Sequence, residues 1–215
     1  NDPIYDGERT PRQYSPTTGS PQYYEKAEKS WIEYDPNLAN QLMDEAGYTE
    51  KDAQGFRLFK DGSGPITFII EGTDQTGTPT EDAVLLVSSY LEKIGIKATY
   101  KYSERALYTQ HYEANEIEAA WWGGNRTILP IIDPGIILGT MGGFPWANAW
   151  GLWKNRADDP NGEKPPEGHW IWDIWETWNE VAAEPDEQKL LNHLHAIAQI
   201  DALKAGKGSG VSALH

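Results

Sequence analysis

The span from Ile66 to Tyr102 constrains the fold more than any other part of this 215-residue chain. Ile66-Thr-Phe-Ile-Ile-Glu71 is rich in β-branched and aromatic residues and predicts a strand. Thr80 then caps a helix in which Ala83, Val84, Val87, Tyr90, Leu91 and Ile94 recur at helical spacing, and Gly95 stops it. From Ile96 to Tyr102 apolar or aromatic residues take every second position, the period of a half-buried strand. Strand, helix and strand in so short a span make a βαβ unit with a right-handed crossover and parallel strands.

The pattern extends to both sides. Upstream, Asp35-Pro36 opens a helix, with Asp35 as N-cap and Pro36 at the first helical position. Leu38, Ala39, Leu42, Met43 and Ala46 share one face of it, and Gly47 ends it. Downstream, Ser103 caps a helix containing Ala106, Leu107, Tyr108 and His111, which leads to a third strand at Ile117. The order β-α-β-α-β predicts the α/β class, a sheet flanked by helices. Between Thr49 and Gly64 the turns at Gly55 and Asp61-Gly62 frame a short strand or hairpin. Asp52, Gln54 and Asp61 in that connection lack the spacing of an EF-hand loop, so no calcium site is expected.

The third strand runs into the most functional-looking stretch, Glu116-Ile-Glu-Ala-Ala-Trp-Trp-Gly-Gly-Asn125. Because successive side chains of a strand point to opposite faces, Trp121 joins Ile117 and Ala119 while Trp122 joins Glu118 and Ala120. Only one of the two tryptophans can face a given cleft. Gly123 and Gly124 allow close approach of a ligand, and Asn125 and Arg126 add hydrogen-bonding heads. Open α/β sheets gather ligands beyond the carboxyl ends of their strands, and Trp121 to Arg126 stand at that end.

The flanking regions carry less regular signals. Residues 1 to 30, with Pro3, Pro11, Pro16 and Pro21, predict an irregular surface segment. Residues 127 to 168 form a long, aromatic-rich excursion carrying Asp133-Pro134, the apolar run Ile136 to Leu138, and Trp146, Trp150 and Trp153. Trp146 and Trp150 are secondary ligand candidates from it. Trp170 to Ala183 predicts a helix packed through Ile171, Ile174, Trp175, Trp178 and Ala182. Pro185 starts a last helix with Leu190, Leu191, Leu194, Ile197 and Ala198 facing inward. Its His193 and His195 are two apart rather than at the i, i+4 spacing of shared metal ligands, so no metal is expected there. The expectation is a single α/β ligand-binding domain over residues 1 to 202, followed by a flexible tail or linker over 203 to 215.

Composition narrows the partners. A net charge of -15, from 33 acidic against 18 basic residues, disfavours nucleic acid and anionic membrane surfaces. No apolar run approaches the roughly 20 residues of a membrane helix, and any export signal is expected to lie outside the sequence. The absence of cysteine excludes disulfides and thiolate metal sites without fixing the compartment. Ten tryptophans and eleven tyrosines against four phenylalanines favour rings with a polar edge, which suit wet clefts.

Three stretches together resemble family 5 extracellular solute-binding proteins, the oligopeptide, dipeptide and nickel type of ABC-transporter receptor. They are Tyr34-Asp-Pro-Asn-Leu-Ala-Asn-Gln-Leu-Met-Asp-Glu-Ala-Gly-Tyr48, Leu91-Glu-Lys-Ile-Gly-Ile-Lys97, and Trp122-Gly-Gly-Asn125 with Asp133-Pro134. The similarity covers about residues 5 to 202. It implies one lobe of a type II periplasmic-binding-protein fold, belonging to a two-lobed monomeric receptor whose first lobe is missing here. It also implies periplasmic or extracellular, cell-envelope-associated residence, in some members as a lipoprotein, and delivery of a ligand to an ABC permease without a cofactor. In peptide-binding members the corner corresponding to Trp122 to Asn125 usually ends in an aspartate that pairs with the peptide's amino terminus. Asn125 carries no charge and forfeits that charge-assisted bond, which moves weight towards neutral or sugar-like ligands.

The leading expectation is a receptor for an oligopeptide or an oligosaccharide, with Trp121, Trp122, Gly123, Gly124, Asn125, Arg126, Trp146 and Trp150 at the ligand and no bond made or broken. A carbohydrate-active enzyme would need two carboxylates about 5 to 10 Å apart across a cleft. Glu116, Glu118 and Asp133 are the acids near the corner, and their spacing singles out no acid and nucleophile. A carbohydrate-binding module of β-sandwich type conflicts with the βαβ pattern.

Overall fold

The computed structural model describes residues 4, 7, 10–13, 16–20, 23–123, 134–140 and 147–205. Its elements are, in chain order, α1 (Glu25–Glu28), α2 (Pro36–Glu45), β1 (Thr67–Gly72), α3 (Pro79–Glu92), β2 (Lys97–Tyr102), α4 (Arg105–Glu113), β3 (Ala119–Trp121), α5 (Gly135–Leu138), α6 (Asn148–Asn155), α7 (Ile171–Ala183) and α8 (Glu187–Ala205). The chain forms two compact units. One holds Asn1–Thr10, Glu33–Gln110 and Ile117–Trp122; the other holds Pro11–Ile32, His111–Glu116 and Gly123–His215.

In the first unit the expected β-α-β-α-β order closes into a three-stranded sheet of order β2-β1-β3. Both pairings are parallel, with Ile70 beside Tyr100 and Ala119, and Gly72 beside Tyr102 and Trp121. Ile70, Ala98 and Val84 of α3 form its buried core, flanked by Phe68, Leu91, Tyr100, Ala119 and Trp121. On the other face Glu71 is buried and pairs with Lys101 at 3.2 Å, while Ile69 stays 44% exposed.

Helix ends follow backbone chemistry. The Asp35 carboxylate accepts the N–H groups of Asn37 and Leu38, as its N-cap role requires. Gly47 (φ 88°) and Gly95 (φ 81°) end α2 and α3 in the left-handed region. At each, the N–H of the following residue reaches five residues back, Tyr48 to Met43 and Ile96 to Leu91, closing a Schellman motif. Other boundaries differ from the sequence expectation. α3 is capped by Thr78 rather than Thr80, because Pro79 takes the first helical position and the Thr78 hydroxyl accepts the Glu81 N–H. At α4 the cap is Glu104 rather than Ser103: the Glu104 carboxylate accepts the Ala106 N–H, its carbonyl accepts the Tyr108 N–H, and Ser103 Oγ is buried without a partner. β3 begins only at Ala119, since the Glu118 side chain accepts the Ile69 N–H that an earlier β3 residue would take.

Arg57 holds the first unit together at a point the sequence did not signal. It is 1% exposed. Its guanidinium donates to Ile94 O (2.8 Å), Asp44 Oδ1 (2.5 Å), Asn40 Oδ1 (2.8 Å), Asn40 O (3.3 Å) and Tyr48 O, tying the end of α2 to the end of α3.

The second unit packs α7 against α8 around Leu138, Ala147, Ile171, Ile174, Trp175, Val181, Leu194 and Ile197. Val181 rather than Ala182 completes the buried face of α7, and Trp178 packs against it half-buried. Trp175 is buried, and its indole N–H donates to Leu138 O at 2.8 Å. Gly151 of α6 lies so close to the Gly139 carbonyl that a Cβ would sit 2.1 Å from its oxygen. The region expected to be an irregular excursion thus contains two helices, α5 and α6, and the proline-rich opening segment contains the single-turn α1. Asp186 caps α8, where Pro185 was expected to start it, and α8 runs to Ala205, past the expected boundary at residue 202. The remainder of the expected tail lies outside the described residues.

Candidate functional site

The two adjacent tryptophans have different surroundings. Trp121 is the last residue of β3, and in parallel register beside Gly72 it packs with Ala119 against the Ile70, Val84 and Ala98 core. It is a core-side residue. Trp122, one step beyond the strand, packs instead against α4: its ring stacks on Tyr108 with centroids 5.0 Å apart and planes 15° apart. The Arg105 guanidinium lies 4.6 Å from the Trp122 ring centroid, within the range of a cation–π contact. Residues three apart share a helix face, so one turn of α4 presents both partners to one ring.

The stack is built on a firm base. Tyr108 is 1% exposed, so its ring cannot swing away without opening the interior. α4 is fixed at its start by Glu104 and at its end by Asn115 (φ 57°), where the Glu116 N–H reaches His111 O and the Asn115 N–H reaches Tyr112 O. Trp122 itself is half-buried and Arg105 is exposed. A ligand arriving at the carboxyl end of β3 would therefore meet an immobilised aromatic ring with a positive charge beside it. Close by, Gly72 leaves room for the Tyr100 side chain, whose hydroxyl donates to Asp74 O at 2.8 Å; a Cβ at residue 72 would sit 2.9 Å from that hydroxyl. Burial pushes the Tyr100 phenol above its ordinary value of 10.0 and keeps it neutral.

Of the other expected ligand residues, Gly123 follows Trp122 and is exposed. Gly124, Asn125, Arg126 and Trp146 lie outside the described residues. Trp150 belongs to the second unit, where it is half-buried against the α7–α8 core and meets His169 edge-on at 4.6 Å. Arg105 was missed by the sequence reading, and Tyr108 was placed only on a helix face. Their i, i+3 spacing just before a Trp-Trp pair was the available signal.

Of the acids weighed for an enzyme, Glu118 is engaged with the Ile69 N–H at 3.2 Å and Glu116 is exposed; Asp133 lies outside the described residues. Among the described residues, no group of three His, Cys, Asp or Glu side chains could hold a metal ion. His193 instead meets Glu180 at 3.1 Å, and His195 stacks on Tyr24. No helix among the described residues is long and apolar enough to cross a membrane.

Comparison with known proteins gives this geometry a context. Residues 1–131 match the family model of bacterial extracellular solute-binding proteins, family 5 Middle. The fold is similar to that of a solved oligopeptide-binding protein, OppA, with a TM-score of 0.80 and 28% identity over 94% of this chain and 33% of that one. It is also similar to a mannohexaose-bound oligopeptide ABC-transporter periplasmic binding protein from Thermotoga maritima (TM-score 0.60, 20% identity, 94% of this chain and 36% of that one). NikA from Brucella suis, solved with Fe(III)-EDTA, is similar at a TM-score of 0.62 and 18% identity, over 94% of this chain and 38% of that one. The chain thus spans about a third of the length of these solved relatives. No match is found among curated proteins.

Proposed function

The chain belongs to the bacterial extracellular solute-binding proteins of family 5, and on that premise we propose that it is part of the ligand-binding component of an ABC importer. In this reading the receptor carries an oligopeptide or an oligosaccharide to a membrane permease and makes or breaks no bond. Residues 1 to 202 belong to one lobe of the receptor, and a second lobe closes over the ligand. The receptor works as a monomer outside the cytoplasmic membrane, in the periplasm or held at the cell envelope, with lipid anchoring as one means of holding it there.

The observation that carries the reading is the position of Trp122. It stands at the carboxyl end of a parallel strand, the usual place for a ligand in an open α/β sheet, and is braced by Tyr108. A braced indole offers a preordered stacking surface, and preordering lowers the entropy lost on binding. Gly123, Gly124, Asn125 and Arg126 complete the proposed corner, with Trp121 supporting it from the core side and Trp146 and Trp150 as further contacts. The name of the OppA relative favours a peptide. Asn125, which offers an amide where a charged amine would prefer a carboxylate, favours a ligand without a free amine at that point, such as an oligosaccharide.

Calorimetric titration of the full-length receptor with short peptides and with cello-, xylo-, manno- and galacturono-oligosaccharides tests the proposal. Saturable one-to-one binding of one class is expected. Binding of none of them, or release of reducing sugar on incubation, would overturn it.

A further inference from the structure

Arg105 sits where the folding of this chain gives it little reason to be. It is the first residue of α4, at the positive end of the helix dipole, where a cation is disfavoured and an acid preferred. Among the described residues Arg12, Arg57 and Arg156 each hold a carboxylate, Glu28, Asp44 and Asp159 respectively, whereas Arg105 holds none. In a chain with 33 acidic against 18 basic residues, a partner would be easy to supply. Its contact is instead with the Trp122 ring, 4.6 Å from the guanidinium, and its side chain is exposed. A guanidinium lying over a ring keeps its five N–H donors in its own plane, where they form the fork that matches a carboxylate.

We propose that Arg105 is the charge-reading residue of the strand-end site and that the ligand it takes carries a carboxylate. The inference rests on the solute-binding reading above and narrows it. The indole of Trp122 fixes the plane and position of the guanidinium, so the fork is ordered before the ligand arrives. The carboxylate accepts two N–H bonds from Arg105 while the neighbouring part of the ligand packs against the Trp122 ring. Two sources supply this chemistry: the carboxy terminus of a peptide, and a uronic acid residue of an oligosaccharide.

The test uses calorimetry on the full-length receptor with two matched pairs of probes, a short peptide with a free or an amidated carboxy terminus, and an oligogalacturonate or its methyl ester. For one pair the free acid is expected to bind about 10- to 100-fold more tightly than its masked form, the effect of a charge-assisted, bidentate contact. The pair that shows the gap identifies the source. Arg105→Ala should close that gap and leave the masked ligand unchanged, and Arg105→Lys, which keeps charge without the planar fork, should retain part of it. Thermal melts of both variants should match wild type, because the side chain is exposed. A gap that persists in Arg105→Ala, or a masked ligand weakened as much as the free acid, overturns the inference. Equal binding of free and masked forms by the wild type overturns it while leaving the solute-binding reading intact; no binding of any probe overturns both.

Discussion

Replacing Arg57 with methionine removes a densely bonded guanidinium from the first unit while keeping an unbranched apolar stem. Five acceptor contacts are lost, from Ile94 O, Tyr48 O, Asp44, and the side chain and carbonyl of Asn40. They do not count equally. Asp44 is 55% exposed, so water replaces its partner and the ion pair itself contributes only about 0–1 kcal/mol. Asn40 is half-exposed and can turn its amide to solvent. The Ile94 and Tyr48 carbonyls, in half-buried residues, are the larger losses, at about 1–3 kcal/mol for each acceptor left without a donor. Packing of the methionine side chain returns part of that, which leaves a net loss of about 3–4 kcal/mol, close to the ~3–5 kcal/mol typical of breaking a buried charged pair. With a urea slope of about 1–3 kcal/mol per molar, the unfolding midpoint should fall by at least ~1 M. Chemical denaturation followed by tryptophan fluorescence and far-ultraviolet circular dichroism measures it. A midpoint shift below ~0.3 M would refute the view that Arg57 is the tie between α2 and α3.

Two further outcomes follow from close contacts and from titration. Gly151→Ala places a methyl group 2.1 Å from the Gly139 carbonyl oxygen, so α6 must move, at a cost of at least the ~1–3 kcal/mol of ordinary overpacking; a melting temperature equal to wild type would contradict the contact. Tyr100 keeps its proton to higher pH in the folded state than its ordinary value of 10.0, so its contribution to stability is fully present below about pH 10 and is lost as pH rises through the folded value. Stability measured against alkaline pH should therefore fall more steeply for wild type than for Tyr100→Phe, and identical profiles would contradict the burial of that hydroxyl.

Much of the first unit was legible because its signals are local. A carboxylate before Pro36 and glycines at positions 47 and 95 each act within a few residues, and all three perform as their chemistry dictates. The Thr78-Pro79 pair repeats the Asp35-Pro36 arrangement, and reading it the same way would have placed the α3 cap correctly. Strand periodicity separated Trp121 from Trp122, yet which ring would pack on the core depended on which face α3 covers, a tertiary fact. Arg57 was illegible for the same reason: its acceptors come from residues 40, 44, 48 and 94, and no spacing near residue 57 announces them. The close approach of Gly151 to Gly139 is likewise non-local. Of the candidate site, the strand end and Trp122 could be read from sequence, whereas the two α4 residues that brace and charge it emerged from how the helix packs.

The division of labour between the adjacent tryptophans tests the account most directly. Trp121→Ala and Trp122→Ala are each to be measured for thermal stability and, in the full-length receptor, for affinity towards whichever ligand the titration panel identifies. Trp121→Ala should mainly lower stability, by about 3 kcal/mol or somewhat less given its partial burial. Trp122→Ala should lower affinity about 10-fold or more with the smaller loss of stability, the scale of a lost aromatic stacking surface. The reverse pattern, with binding lost at Trp121 and retained at Trp122, would contradict the account.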